Sequence, residues 1–411
     1  MKNRLVKRRT AWIPVLAVAL AALLVVTACA PSEGPLPGEK RVVEIGEIGS
    51  LTGPGSSADQ NFLFGVLDYA NYFNEQEMIP GVTVEIPWRD SARNMERWLS
   101  AYEALKARGV HVMMSNETLG LEPFQARVER DQIAMYSGNP IQEMLYPPRW
   151  YYFRSPTWAE QFAVLAEYLM ENWQEERPPK LAIMTVDSSF GRQVVRGTKY
   201  AESLGFEILP LEFVPYVPID STTQLLRIRE GGADIIYISW LQLGSGPIMR
   251  DAERLGLLDE IQFTGLEYSV GKQMIGMAGA AAEGFLVPNT LPSFAETEVP
   301  GIKLMLDTQM KYYGTVKVEE PEYIAGWVGT AITCEAARRT VENVGYENLD
   351  GPAIKEAFDS MKGFDVDGLV TITYNPPDDH RGYDKIAVYQ VQGGEIVPIT
   401  DWRVAPMLLP E

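Results

Sequence analysis

Short runs of β-branched residues alternate with longer amphipathic stretches along nearly the whole chain beyond its first forty residues. One such stretch, 93–109, places Met95, Leu99, Tyr102 and Leu105 on one side of a helix. The runs predicted as strands are 41–49, 82–88, 110–114, 133–137, 180–186, 206–214, 234–240, 261–265 and 284–288. Uninterrupted alternation of this kind predicts parallel sheets covered by helices on both faces.

The alternation restarts in the middle of the chain. Thr157 and Glu160 have the spacing of a capping box and begin a helical stretch within 155–174. A fresh series of strands and helices then begins at Lys180. We interpret this series as a second sheet, and therefore predict an α/β fold of two doubly wound parallel-sheet lobes.

The last third of the chain adds helices and a hairpin to these lobes. Helical spacing predicts helices over roughly 298–314 and 320–344, after a strand that can return the chain to the first lobe. The tail, 384–400, is predicted as two strands joined by Gly393 and Gly394. This hairpin can extend the edge of either sheet.

The first forty residues have the form of a secretory signal followed by a linker. Basic residues crowd the first nine positions, and a nearly uncharged stretch, 11–28, ends in small residues just before Cys29. This pattern resembles a bacterial lipobox, so we predict a lipoprotein signal peptide over 1–28, acylated Cys29 and a flexible tether over 29–40. An uncleaved transmembrane anchor is the alternative, because the apolar stretch approaches the length that spans a bilayer.

Charge and the rarest residue types exclude several classes of protein. The net charge of −19 argues against a nucleic-acid partner, since phosphate binding needs clustered Lys and Arg. If Cys29 carries lipid, Cys334 has no partner within the chain, and its helical context predicts a buried apolar role.

The two histidines, His111 and His380, lie far apart, which argues against a zinc site. We predict no metal and no cofactor, and we predict that 378–382, around His380, is a solvated turn.

Several segments match one known family in order and spacing. They are GEIGSLTGPGSS, FNEQEMIPGVTVEI, SSFGRQVVRGTKYAESLGFEI, QFTGLEYSVGKQMIGMAGAAAEGFLV and YNPPDDHRGYDKIAVYQV. Over 41–402 the chain resembles the type I periplasmic binding proteins, specifically the branched-chain amino-acid-binding family of ABC importers. The resemblance implies two lobes joined by three crossover hinge segments, lobe one over 41–155 plus 289–364 and lobe two over 156–288 plus 365–411.

The resemblance also implies a ligand in the cleft between the lobes, where the strands of open α/β sheets end. Glu267 falls where the family places a carboxylate that pairs with the ammonium group of the ligand. A carboxylate is chemically suited to that position, because an amine removed from water needs a fixed opposite charge. The alternative is a solvated loop glutamate.

Eight further residues complete the predicted site. Hydroxyl and amide groups beyond two first-lobe strands suit a carboxylate or amide on the ligand; these are Asn116, Thr118, Ser137 and Asn139. Aromatic side chains are predicted as cleft walls; these are Phe190, Trp240, Tyr268 and Tyr323. The alternatives are local helix caps for the polar set and ordinary core packing for the aromatic set. The region near Ala58 lacks an aromatic that amino-acid binders often carry, which leaves the ligand class open.

Together these features predict a lipid-anchored, extracytoplasmic, monomeric solute receptor. It would bind a small amino acid or related polar compound by closing its lobes, and deliver it to an ABC permease in the membrane. A receptor of the same fold coupled to a sensor kinase or chemoreceptor is an alternative that the sequence does not separate. A lipid-anchored enzyme is a third class, but the chain has no nucleophile elbow, P-loop or dinucleotide fingerprint, so we predict no catalytic activity.

Overall fold

A computed structural model describes residues 41–53 and 55–409 of the chain. Its strands are β1 Arg41–Gly49, β2 Val82–Glu85, β3 Trp88–Asp90, β4 Val112–Ser115, β5 Ala134–Ser137, β6 Tyr151–Tyr152, β7 Lys180–Thr185, β8 Glu207–Ile208, β9 Glu212–Phe213, β10 Ile235–Ser239, β11 Gln262–Gly265, β12 Leu286–Asn289, β13 Phe364–Val366, β14 Val370–Ile372, β15 Lys385–Gln392, β16 Glu395–Pro398 and β17 Arg403–Val404.

The helices lie between these strands. The α-helices are α1 Ser56–Glu75, α2 Met95–Ala107, α3 Gln125–Asp131, α4 Gln142–Leu145, α5 Trp158–Glu171, α6 Thr198–Leu204, α7 Thr222–Glu230, α8 Gln242–Arg254, α9 Lys272–Ala278, α10 Pro300–Tyr313, α11 Pro321–Val344 and α12 Gly351–Asp359. Short 3₁₀ helices span Glu122–Phe124, Gln193–Gly197, Glu267–Ser269, Gly279–Ala282 and Tyr346–Asn348.

The strands form two main sheets, which confirms the predicted two-lobed α/β fold class. The first has the order β2-β1-β4-β5-β6, with β3 also beside β1, and the second has the order β16-β15-β12-β11-β10-β7-β8. Parallel pairing joins β1 to β4 to β5 and also joins β7 to β10 to β11, whereas β15 is antiparallel to β12. In each sheet the chain order reverses once, between β1 and β4 and between β7 and β10. These switch points are where open α/β sheets bind ligands.

The chain passes between the lobes three times within the described residues: after β6, after β12, where it returns to pack α11 against α1 and β5, and again before β15. The first and third of these crossovers are hydrogen-bonded to each other. Phe153 N donates to His380 O at 3.0 Å, and the hydroxyl of Tyr374 donates to Phe153 O at 2.8 Å. These two hydrogen bonds connect the first and third crossovers into one hinge. The division of the lobes at 155/156, 288/289 and 364/365 remains a prediction.

Several local predictions are confirmed. Thr157 and Glu160 form a reciprocal capping box at the start of α5. The turn at Gly393 and Gly394, both with positive φ, joins β15 to β16, and this hairpin extends the second sheet. Cys334 is fully buried within α11, as its helical spacing predicts.

Other local predictions need correction. The segment 378–382 is not a solvated turn, because His380 is 1% exposed, stacks on Tyr152 with ring centroids 4.4 Å apart, and bonds Tyr151 O through Nδ1. The sequence pattern does not reveal this, since the aromatic neighbours come from β6, more than 200 positions away. The runs 82–88 and 206–214 each divide into two short strands.

No α-helix among residues 41–53 and 55–409 is long and apolar enough to cross a membrane. The predicted signal peptide, the acylated Cys29 and the tether lie outside the described residues.

Candidate ligand-binding cleft

The ends of the two sheets face each other, so both switch points open onto one cleft. Gln242, which begins α8 beyond β10, donates from Nε2 to Glu320 Oε2 of the first lobe at 3.0 Å. Ser57 Oγ, beyond β1, lies 3.3 Å from Gln273 Oε1 of the second lobe. These two hydrogen bonds join the connections beyond β1 and β10 to the opposite lobe, so the two switch points adjoin one cleft.

The first-lobe side of the cleft is a connected polar group. Asn116 Nδ2 donates to Asp59 Oδ1 at 3.2 Å, and the same carboxylate accepts from Ser50 N at 2.8 Å. The amide of Asn139 donates to Asn116 O, and Ser137 Oγ accepts from Asn139 N at 3.0 Å. The structure therefore brings three of the predicted residues, Asn116, Ser137 and Asn139, into one network at the ends of β4 and β5.

Carboxyl groups dominate this network. Burial raises the pKa of Glu47 well above its usual range, and the nearby charges of Asp59 and Glu117 add to the effect. Burial likewise raises the pKa of Asp59. Burial also raises the pKa of Glu117 to about 7, although a hydrogen bond from Ser91 opposes the rise. Each of these three side chains is at most 4% exposed, so this wall of the cleft consists of buried carboxyl groups. We call it the acidic wall.

A strained loop beyond β3 supplies the nearby positive charge. Ala92 and Arg93 have φ of 46° and 54°, which side chains other than glycine rarely adopt. The turn is held by Asp90, whose Oδ1 accepts from Ala92 N at 2.8 Å, and by Ser91, whose Oγ donates to Glu117 Oε2 at 2.5 Å. A backbone conformation of this kind is unfavourable, and it persists only where the surrounding structure holds the loop in one orientation. Here it places the guanidinium of Arg93 5.5 Å from the ring centre of Tyr216 in the second lobe.

The second-lobe side of the cleft is a chain of aromatic rings. Trp240 lies 4.6 Å from Tyr216 and 5.8 Å from Phe190, measured between ring centres. Trp158 continues the chain, 5.6 Å from Phe190 and 5.5 Å from Tyr268. The structure thus groups three predicted aromatics, Phe190, Trp240 and Tyr268. It also adds two that the sequence analysis did not assign to the cleft.

Glu267 is buried and already has a cationic neighbour within the chain. Its Oε2 lies 3.5 Å from Arg154 Nη2, and both side chains are at most 3% exposed. The hydroxyl of Thr290 donates to Glu267 Oε1 at 2.9 Å, and Arg154 donates to the hydroxyl of Tyr268 at 2.9 Å. Burial alone would lower the pKa of Arg154, but the charge of Glu267 and the hydrogen bond to Tyr268 hold it above its ordinary value. The pairing of Glu267 with a ligand nitrogen remains a prediction.

The two other predicted residues lie in different surroundings. Tyr323 donates from its hydroxyl to Asp68 of α1 at 2.8 Å, and its ring packs on Trp327. It is fully buried in the contact between α1 and α11. Thr118 is half-buried beyond β4, and its carbonyl accepts from Leu121 N at 3.2 Å. Neither contact assigns these side chains to the polar network or to the aromatic chain.

The sequence analysis did not assign Arg154, Arg93, Tyr216 or Trp158 to the cleft. Arg154 lies two residues beyond β6, a two-residue strand that carries almost no periodic signal. Arg93 follows a polar run that lacks a motif, and Tyr216 lies in a connection without regular structure. The position of Glu117 beside Asn116, directly after a buried strand, was the one signal that could have marked the acidic wall.

Among the residues that the structure describes, no group of His, Cys, Asp and Glu side chains has the arrangement of a metal site.

A family model described as "Periplasmic binding protein" matches residues 42–395. The chain belongs to this family. The match extends from β1 to β15 and includes all three crossovers, so it confirms the family that the sequence predicts. A search of curated proteins finds no match.

Solved structures share the fold at low sequence identity. A branched-chain amino acid ABC transporter from Thermus thermophilus with bound valine is 25% identical, with a TM-score of 0.81, covering 90% of this chain and 98% of that one. A fatty acid ABC transporter substrate-binding protein from Thermomonospora curvata is 18% identical, with a TM-score of 0.80 and coverage of 91% and 95%. A solute binding protein from Rhodopseudomonas palustris, in complex with 3,4-dihydroxy benzoic acid, is 18% identical, with a TM-score of 0.72 and coverage of 89% and 98%.

Proposed function

We propose that this protein is the lipid-anchored, extracytoplasmic substrate-binding component of an ABC importer. The observation that carries the proposal is the opposition of two sheet switch points, one lined by buried polar side chains and the other by aromatic rings. A small molecule that bridges the two walls stabilises the closed arrangement of the lobes, since it contacts both only when they are together. The permease then recognises the closed, loaded form.

The ligand we propose is a small amino acid or a related polar compound. The relatives named above were solved or described with valine, fatty acid and dihydroxybenzoic acid, so the shared fold does not determine the ligand. The side chains of this cleft must do so. Buried amide and carboxyl groups at one end suit hydrogen-bonding groups of a ligand, and the rings of Phe190 and Trp240 suit an apolar portion.

Truncation of the aromatic wall tests this assignment. We expect Phe190→Ala to weaken binding of the best amino acid by about tenfold, because burial of an aromatic face on a ligand contributes roughly 1.5 kcal/mol or more. Phe213→Ala is the matched control, since Phe213 is 37% exposed on β9. Calorimetry after a thermal-shift screen of amino acids and amides measures both affinities. Equal binding by wild type and Phe190→Ala would place the ligand elsewhere and remove the support for the cleft.

Acylation of Cys29 is tested separately. We expect Cys29→Ser to abolish labelling by an alkyne fatty acid and to release the chain from the membrane fraction, because a lipid alone would hold it there. Cys334→Ser is the control, since it removes the other cysteine and should leave labelling intact. A Cys29→Ser chain that stays in the membrane fraction would favour the uncleaved anchor.

A further inference from the structure

We propose that Glu117, and not Glu267, holds a cationic nitrogen of the ligand, and that binding is therefore linked to the ionisation of Glu117. The inference rests on the proposed function, because it names the ligand class that the same cleft takes. Four observations carry it: the place of Glu117, its incomplete hydrogen bonding, the charges around it, and the internal pairing of Glu267.

Glu117 lies at the switch point of the first sheet. It follows β4, which pairs with β1 in parallel, so its loop and the loop beginning at Ser50 lie side by side. Loops at this position contact ligands in open α/β sheets because the adjacent connections leave on opposite faces and open a crevice.

Three buried acceptors at this place have unused hydrogen-bonding capacity. Glu117 Oε1, Ser50 Oγ and Asn139 Oδ1 have no hydrogen-bond partner among the described residues. Their side chains are at most 5% exposed. They belong to the network built around Asn116, Asp59 and Ser91, in which the other atoms of these residues are bonded. An alkylammonium group has three N–H donors and no acceptor, so it is the group that such a set of acceptors satisfies.

The charges around Glu117 favour a cation over an anion. Asp59 from α1 and Asp90 from β3 act on it with negative charge, Glu47 from β1 adds a further carboxyl group nearby, and Arg93 acts on it with positive charge. A ligand carboxylate directed at this wall would meet several carboxyl groups against one guanidinium. Across the cleft, the guanidinium of Arg93 lies over the ring of Tyr216, so a cation is already held against an aromatic face in this part of the cleft.

Glu267 is a weaker candidate for the same task. Arg154, Thr290 and Tyr268 form a closed group with it, and Arg154 and Thr290 come from two different crossovers. The negative charge of Glu267 is thus neutralised by Arg154, within the segments that connect the lobes. A ligand nitrogen at Glu267 would have to compete with a guanidinium that is 1% exposed.

The surroundings of Glu117 also make the ligand affinity depend on pH. Burial, with the charges of Asp59 and Asp90, raises its pKa to about 7, while the Ser91 hydrogen bond and Arg93 act in the opposite direction. Only the ionised carboxylate attracts a cation, so affinity is complete above this pKa and falls as the pH decreases through it. From about pH 8 to about pH 5.5 we expect the affinity for a nitrogen-bearing ligand to fall about 30-fold.

Calorimetry with two series of probes tests the inference on the purified full chain. The probes are L-valine, isobutylamine and isovalerate, and L-phenylalanine, phenethylamine and 3-phenylpropionate, so each series keeps or removes the nitrogen and the carboxylate separately. We expect the nitrogen-bearing probes to bind and the nitrogen-free acids to bind at least about tenfold more weakly. Glu117→Gln should weaken nitrogen-bearing probes by about tenfold or more at pH 8 and remove the pH dependence.

Two matched variants separate the alternatives. Glu122→Gln removes an exposed acid from the same connection and should bind like wild type. Glu267→Gln should keep the pH dependence of binding, because it leaves Glu117 unchanged. Unaltered binding by Glu117→Gln, a wild-type affinity that does not fall at low pH, or tightest binding of isovalerate or 3-phenylpropionate would overturn the inference while the proposed function stands. A chain that binds none of the six probes contradicts the proposed function as well. The wild-type pH profile decides the matter even if Glu117→Gln does not fold.

Discussion

Replacing Arg154 by methionine is expected to destabilise the protein by about 3–5 kcal/mol, because the carboxylate of Glu267 would remain buried without its cation. Arg154 is 1% exposed and also bonds Thr290 and Tyr268, so the substitution disconnects the first crossover from the second. Urea denaturation at neutral pH, with m-values compared, measures the change in the free energy of unfolding.

Two companion variants make this result specific. Arg177→Met removes an arginine that pairs with Asp234 but is 47% exposed, and should cost less than about 1 kcal/mol. Arg154→Met combined with Glu267→Leu should regain much of the lost stability, since no unpaired charge then remains. Equal losses of stability in Arg154→Met and Arg177→Met would mean that the buried ion pair of Arg154 and Glu267 does not stabilise the contact between the crossovers.

Alanine at Gly326 is the second substitution for which we expect a large loss, of at least about 3 kcal/mol. Gly326 of α11 faces α1, and an added Cβ would lie 2.1 Å from the carbonyl oxygen of Phe62. Gly65 of α1 has the reciprocal relation, with an added Cβ 2.1 Å from Tyr323 O. Both obstacles are backbone atoms, so side-chain rotation cannot relieve them and the helices must separate.

Gly276 offers the control for this experiment. It lies in α9, where an added Cβ meets nothing within 4 Å, so Gly276→Ala should leave stability unchanged or raise it by up to about 1 kcal/mol. Thermal denaturation of Gly326→Ala and Gly276→Ala compares them directly. A Gly326→Ala protein as stable as wild type would show that α1 and α11 tolerate a wider spacing.

Much of the fold is predictable because its signals are local. Alternation of strands and helices, the capping box at Thr157 and the double glycine after β15 each depend on a few neighbouring residues, and each is present in the structure. The elements that were missed or misjudged are short or depend on distant partners. The strand β6 has two residues, and the burial of His380 requires the ring of Tyr152 from another part of the chain.

The candidate site was predictable only in part, for the same reason. In this class of fold the ligand loops follow the strands, so a position beyond a strand end marks a candidate residue. The residues marked in this way are Asn116, Ser137, Asn139, Phe190 and Trp240. In the structure the polar ones form one group and the aromatic ones form another. Tyr323, in contrast, lies in a predicted helix and not at a strand end, and it packs between α1 and α11. An aromatic residue at the start of a helix has the same local pattern in a core as in a cleft wall.

By itself the sequence determined the two-lobed α/β architecture, the family and the residue types at the strand ends, since periodicity and spacing act over short stretches of chain. The tertiary structure decided which charges meet. Glu267 and Glu117 are both loop glutamates after buried strands, and nothing local distinguishes them. Arg154 reaches the first across 113 positions, whereas the second lies among Glu47, Asp59 and Asp90. Electrostatic roles depend on distance in space, and only the folded chain brings these groups within reach of one another.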